Sequence, residues 1–329
     1  MVPGGYGSSS RKVIVDEGVC NLCRRVWHGI QKASLTFTQR LPRPGETLHG
    51  TEFRKGFGGK GANQCVAAAK LGASTAMVAR LGNDSFCQDF LCILKNNKIN
   101  TDHVHITNGV SSGMAQITVA ESGENTIVIV PGANSILSVA DVQQASEMIK
   151  MANVVVCQFE TPVETTIEAL KITKEGEGIA IVNAAPAITN LDPLVLKLSD
   201  IFCVNESEAE SLTGMQVQSV EEAVVAVGKL LDKGCKQVII TLGASGAVFA
   251  SQDNSVPVHV PTKKVKPIDS TGAGDMFVGG LAFYLAYYPE LPMKEIVKRS
   301  CEVATVSVQK YGTQTSFPTK DDLPAELFM

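Results

Sequence analysis

Residues 267–280 read P-I-D-S-T-G-A-G-D-M-F-V-G-G: two acids, Asp269 and Asp275, bracket a glycine-rich turn that runs straight into an apolar, small-residue segment. Gly272 and Gly274 permit a tight turn and leave bare N–H groups at the start of the helix expected to follow. A helix N-terminus of this kind attracts phosphate or any developing negative charge. Asp275 falls in the first helical turn, where the same dipole favours its ionised form. A carboxylate beside an anion cradle is what phosphoryl transfer to an alcohol requires, a base for the hydroxyl and stabilisation for the moving group. A capped helix after a Gly-rich turn explains the same residues without chemistry, so the rest of the chain has to decide.

Around this stretch, strand and helix signals alternate. Short apolar runs at 154–157, 179–182, 201–204 and 237–241 read as buried strands, with 247–250 pairing after the last. Helical patterns cover 162–174, a short piece from Glu206, 220–233, about 272–287 and 293–309. Such alternation predicts a mostly parallel sheet covered on both faces, with ligands beyond the carboxyl ends of its strands. Towards the N-terminus, Pro42 to Thr47 is a turn, 47–53 alternates like a strand, and G-F-G-G-K-G-A-N-Q (56–64) leads into a small-residue helix at 65–70. A strand at 76–80 and a helix at 84–96 with an Asp start signal follow. Residues 113–119 alternate polar and apolar, turn at E-S-G-E (121–124) and return as 125–130, the strongest hairpin signal in the chain. One face of that hairpin must be covered and one wet, so it is expected to stand off the main sheet as a lid.

Bulk composition narrows the class further. The 329 residues suit one large domain with an appendage, and 44% apolar with 19% charged residues marks a folded globular chain. A net charge of −4 without a long basic run argues against nucleic-acid and anionic-membrane partners. No stretch reaches the ~18 consecutive apolar residues of a membrane span, and no charged-then-apolar leader is evident. The nine cysteines, odd in number and scattered, read as reduced thiols of a cytoplasmic protein, with the nucleus as a second compartment. Cys20 and Cys23 make a C-x-x-C with no second pair or His pair to complete a zinc site. Residues 1–35 show no clear periodicity beyond a short strand signal at Val13, Ile14 and Val15.

The run G-F-G-G-K-G matches G-x-G-x-x-G only formally, because it follows a turn-rich segment and lacks the acid that a dinucleotide site needs at a later strand end. H-R-D and D-F-G are absent, and Lys60 is followed by Gly61 where a Walker loop needs Ser or Thr. What remains is a glycine-rich approach to a small polar ligand, with Lys60 and Asn63 as donors.

Four motifs then occur in order: G-G-K-G-A-N-Q (58–64), N-E-S-E-A-E (205–210), T-L-G-A-S-G (241–246) and D-S-T-G-A-G-D (269–275). Together they resemble the ribokinase family of carbohydrate kinases from about residue 36 to the end. The resemblance implies a three-layer α/β/α sandwich with a mostly parallel central sheet, and a small β-sheet lid from about 45–57 and 113–131 that also makes a homodimer contact. Residues 1–35 would be an atypical segment ahead of a domain at 36–329. It further implies Mg·ATP-dependent phosphorylation of the D-ribose 5-hydroxyl, activated by K+. Asp275 resembles the general base and Gly272, Ala273 and Gly274 the anion hole. Gly58, Gly59, Lys60, Gly61, Ala62, Asn63 and Glu160 resemble the sugar site. Asn205, Glu208, Thr241, Leu242, Gly243, Ala244, Ser245, Gly246, Gly274 and Cys301 match nucleotide-binding positions, Cys301 standing where a polar residue is usual. Asp269, Thr271, Ser307, Lys310, Gly312 and Ser316 match a potassium loop.

For several of these a purely structural role competes: Glu160 as a cap for the helix after Pro162, Asn205 with Glu208 as a capping box, and Lys310 as a solvated helix-end lysine. One departure stands out. The family carries a sugar-binding acid about a dozen residues before the P-G-E-T turn, and here the matching stretch is Gln31-Lys32-Ala33, without a carboxylate. That leaves another sugar or nucleoside kinase of the family, or an impaired nucleotide-binding relative, as alternatives.

Overall fold

The computed structural model describes residues 24–27 and 30–329; the strand signal at Val13–Val15 and the Cys20/Cys23 pair lie outside them. In chain order the strands are β1 (Arg24–Trp27), β2 (Gln31–Thr38), β3 (Glu52–Gly58), β4 (Ala76–Gly82), β5 (Asn100–Thr107), β6 (Gly113–Ala120), β7 (Asn125–Val130), β8 (Ala152–Cys157), β9 (Ile179–Asn183), β10 (Ile201–Asn205), β11 (Gln237–Thr241), β12 (Ala247–Ser251) and β13 (Val258–Val260). The helices are α1 (Lys60–Lys70), α2 (Ser85–Asn96), α3 (Val139–Gln144), α4 (Ser146–Lys150), α5 (Val163–Glu175), α6 (Pro193–Leu198), α7 (Glu206–Thr213), α8 (Val220–Asp232), α9 (Ala273–Tyr287) and α10 (Met293–Ser307).

The apolar runs become the centre of a nine-stranded sheet, ordered β13-β12-β11-β10-β9-β8-β1-β4-β5. Pairing is parallel from β11 through β5, while β12 and β13 add on antiparallel. Strands β8 to β10 are buried over nearly their whole length, as strands covered on both faces must be. One apolar layer joins the sheet to α1, α2, α9 and α10; the other joins it to α3 through α8. This is the expected three-layer α/β/α sandwich.

A second sheet, β3-β2-β6-β7, forms the lid. Every residue of β7 is exposed, and the lid shows apolar side chains to the surface on both faces: Phe53, Met114, Val128 and Val130 on one, Ile127 and Ile129 on the other.

Several boundaries differ from the expectations. The strand expected at 47–53 lies at β3, because β2 pairs antiparallel with it from Phe37↔Glu52 to Gln31↔Gly58 and draws the first glycines of the G-F-G-G run into the ladder. Helix α1 begins at Lys60, five residues earlier than its small-residue core suggests, since Gly59 turns the chain at φ 88°. Within the segment read as atypical, β1 fills the slot between β4 and β8, and β2 is an inner strand of the lid. Strand β5 carries the polar sequence N-T-D-H-V-H-I-T at the sheet edge, so no apolar run marks it.

Two glycines in helices behave oppositely. A Cβ at Gly279 would sit 2.5 Å from Ala67 Cβ and 2.8 Å from the Gln64 carbonyl, so α1 and α9 touch there backbone to backbone. A Cβ at Gly228, in α8, meets nothing within 4 Å. Gly279→Val is therefore expected to destabilise the fold by at least about 1–3 kcal/mol through overpacking. Gly228→Ala should stabilise it by about 0.5–1 kcal/mol. Thermal unfolding of the two variants in parallel checks both signs.

Candidate active site

The close crossing of α1 and α9 sets two sequence motifs against each other. Asp275 is the third residue of α9, whose N-cap Gly272 adopts φ 82°. A Cβ at Gly272 would lie 2.6 Å from Thr313 Cγ2, so both the dihedral and the space demand glycine. No side chain caps the helix, and its first turn faces a cavity of about 180 Å³ lined by Gly272, Gly274, Asp275, Lys60, Asn183, Glu208 and Thr241 among others. A Cβ at Gly274 would meet nothing within 4 Å, which leaves the backbone there open to a ligand.

Asp275 is buried, and each of its oxygens accepts a hydrogen bond from α1: Oδ2 from Asn63 Nδ2 at 2.8 Å and Oδ1 from Gln64 Nε2 at 3.0 Å. Asn63 is held in turn by Gln314, whose Nε2 donates to its Oδ1 at 3.0 Å. Burial pushes the Asp275 pKa up, while Lys60 and the amides of Gln64 and Asn63 restrain the rise. Burial opposes the Lys60 ammonium, yet Asp275, Glu208 and Glu160 outweigh it and hold the lysine above its usual value. Glu160 accepts the Lys60 backbone N–H at 2.8 Å, and desolvation lifts its carboxyl to about 7 against the pull of Lys60. It therefore does not cap α5, which has no side-chain cap.

Asn205 and Glu208 do form the capping box of α7, with Asn205 Oδ1 accepting from the Glu208 N–H at 2.8 Å and Glu208 Oε2 from the Asn205 N–H at 2.9 Å. Both still line the cavity, so forming the cap does not take them away from it. A second cavity of about 530 Å³ lies beside it, bordered by Asn205, Thr241, Gly243, Ala244, Gly246, Gly274 and Cys301. Asn205, Thr241 and Gly274 belong to both cavities. Leu242 is buried in the core instead, and the Ser245 carbonyl contacts His259 Nε2 at 2.7 Å. Gly61 and Ala62 are buried in the first turn of α1, behind the cavity wall.

Asp269 joins two loops: Oδ1 accepts the Thr271 N–H and Oδ2 the Gly312 N–H, both at 2.9 Å. Ser307 and Ser316 are buried close by in sequence, their hydroxyls turned to the carbonyls of Ala304 and Thr313. Lys310 is exposed.

Sequence reasoning missed several lining residues. Asn183 ends the apolar strand β9 as Asn205 ends β10, a polar terminus that could have flagged it. Thr262, Lys263, Val265, Thr305 and Val308 border the larger cavity from loops and from α10 and its end, and no motif marks them.

A buried carboxylate facing an uncapped helix N-terminus, with an ammonium nearby, can accept a proton from an alcohol while backbone amides steady a phosphoryl group. The arrangement defines a phosphotransferase acting on an alcohol. The model of the pfkB family of carbohydrate kinases matches residues 31–320, and the chain belongs to that family. Ribokinase of Mus musculus is 51% identical over 294 residues, covering 89% of this chain and 91% of that protein. Deoxyribokinase of Salmonella typhi is 38% identical over 285 residues, covering 87% and 92%. The structure of Arabidopsis thaliana ribokinase complexed with ribose and ATP superposes with a TM-score of 0.83 at 29% identity, covering 91% of this chain and 96% of that one.

The raised Glu160 pKa gives a signed test. Between its ordinary value of 4.5 and about 7 the folded state binds more protons at this site than the unfolded chain, so stability falls as pH rises through that window. Glu160→Gln removes this contribution. Unfolding free energies from denaturant titrations between pH 4.5 and 7.5 should decline less in the variant, by on the order of 3 kcal/mol across the window.

Proposed function

We propose that this protein phosphorylates the 5-hydroxyl of D-ribose with ATP, giving D-ribose 5-phosphate. The observation that carries the reading is Asp275, buried, hydrogen-bonded through both oxygens and set beside an uncapped glycine-turned helix N-terminus. Asp275 acts as the general base, and Gly272, Ala273 and Gly274 stabilise the transferred phosphoryl through backbone amides. Gly58 to Asn63 and Glu160 form the sugar side, with Glu160 fixing the Lys60 backbone. The larger cavity takes the nucleotide, and Thr241, Gly243, Ala244 and Gly246 border it.

Mg²⁺ enters with ATP and neutralises phosphate charge; the Glu208 carboxylate on the cavity wall is the hard oxygen donor that suits it. K+ is the activating monovalent ion, for which the oxygen-rich loops tied together by Asp269 offer hard donors without thiolate or imidazole. The exposed apolar residues of the lid, Phe53, Met114, Val128 and Val130 on one face and Ile127 and Ile129 on the other, are the proposed homodimer contact. No helix among the described residues is long and apolar enough to cross a membrane. The proposed compartment is the cytoplasm, with the nucleus as a second, on the strength of the scattered cysteines, those at 65, 87, 92, 157, 203, 235 and 301 standing as reduced thiols.

One observation favours a second reading, a kinase of another sugar or a relative that only binds nucleotide. Gln31-Lys32-Ala33 carries no carboxylate, and in β2 this stretch pairs with Gly56, Phe57 and Gly58, next to the loop proposed to hold the sugar.

Three measurements separate these readings. Ribose is expected to raise both thermal stability and ATP turnover; stabilisation by ATP alone, with turnover flat on adding ribose, would establish the nucleotide-binding relative. Asp275→Asn should keep ATP-induced stabilisation and lower kcat by about 10²–10⁴-fold. Asp269→Asn should reduce the activation by K+ seen against a tetramethylammonium background at equal ionic strength, and an unchanged response would remove Asp269 from the cation loop.

A further inference from the structure

The motif G-A-N-Q ends in Gln64, which belongs to none of the sugar, nucleotide or cation sets. Gln64 is completely buried in α1, yet its side chain is polar and every hydrogen-bonding group on it is engaged. Nε2 donates to Asp275 Oδ1 at 3.0 Å and to Asn183 Oδ1 at 2.9 Å, while Oε1 accepts from Gln158 Nε2 at 2.7 Å. The neighbours fix its orientation. Asn183 donates its own Nδ2 to the Cys203 carbonyl at 3.2 Å, which leaves only its oxygen for Gln64. Turning the Gln64 amide over would set its oxygen against two acceptors, Asp275 and Asn183, and its nitrogen against the Gln158 N–H group. The side chain is thus locked with a donor on the carboxylate.

We propose that Gln64 is a positioning residue for phosphoryl transfer: locked by Gln158 and Asn183, it holds the Asp275 carboxylate in one plane and in its ionised form. The inference rests on the reading of Asp275 as the general base. A carboxylate offers about four lone-pair directions, so with one hydrogen bond on each oxygen the base keeps accepting capacity for a substrate hydroxyl. A donor that stays on Oδ1 favours the charged base, and one that cannot rotate cannot compete for the proton being transferred. The charged groups facing Asp275 from other elements are Lys60 on α1, Glu208 on α7 and Glu160 after β8. Lys60 supports ionisation, and the two glutamates oppose it. Gln64 adds directed support that does not depend on the protonation of those glutamates.

The test is the pH dependence of kcat for ribose phosphorylation with saturating Mg·ATP, in wild type, Gln64→Met and Gln158→Met. Gln64→Met keeps the length of the side chain and removes its donors. It should lower kcat by about tenfold or more at the acidic end and move the acid limb upward, with the loss shrinking as pH rises. KM for ribose should change by less than about threefold, because the interaction acts through the base. Gln158→Met leaves Gln64 in place and unlocks its amide, so the limb should move the same way by less. This second variant carries the test if Gln64→Met does not fold, as judged by ATP-induced thermal stabilisation. An acid limb that coincides with wild type in the folded variants overturns the inference. Asp275→Asn separates the two levels: full turnover in that variant removes the base itself, whereas loss there with an unmoved limb in the glutamine variants removes only the role of Gln64.

Discussion

The structure depends on a charge taken out of water and held there. Asp275 is buried at the start of α9, and burial alone favours its neutral acid. Lys60, Asn63 and Gln64, all on α1, supply the opposing field and hydrogen bonds. These partners reach it because Gly279 lets α1 and α9 meet without side chains between them. The helix crossing, the glycine-rich approach and the ionisable centre therefore form one unit: a wider crossing would strand the carboxylate as well as open a void.

Much of this was legible in the sequence, and the reason differs between parts. Interior strands such as 154–157 declared themselves because burial on both faces leaves only apolar residues. The hairpin at β6 and β7 was visible through alternation, and Asp84 was visible as a start signal because its carboxylate caps α2 through the Phe86 and Cys87 N–H groups. Strand β5 was invisible, since an edge strand half in water needs no apolar pattern. Strand β2 was hidden because Q-K-A-S-L-T-F-T lies beside a segment without periodicity, and its pairing comes from β3 and β6 rather than from its own composition.

The site follows the same division. Groups tied to a backbone singularity were readable: Gly272 and Gly274 at the helix start, Gly59 before α1, and the Asn205/Glu208 capping box. The contacts that tie such groups to partners far along the chain were not. Gln64 meets Asn183 and Gln158, Asn63 meets Gln314, and Glu160 meets the Lys60 backbone; these contacts span about a hundred residues or more, and no local rule encodes them. Glu160 and Asn205 also show that a capping signature and a place at the site are separate questions. The first lies at the site without capping, and the second does both.

The two cavities meet along Asn205, Thr241 and Gly274, and at Gly274 the shared border is bare main chain. Two compartments joined through so narrow a frame impose a rule of traffic. If the smaller cavity takes the acceptor, as proposed, a water molecule resting there would stand where the acceptor hydroxyl stands, within reach of the same base. Wasteful hydrolysis would then be limited by how fully the acceptor excludes water from about 180 Å³. Fidelity in such a molecule becomes a matter of filling.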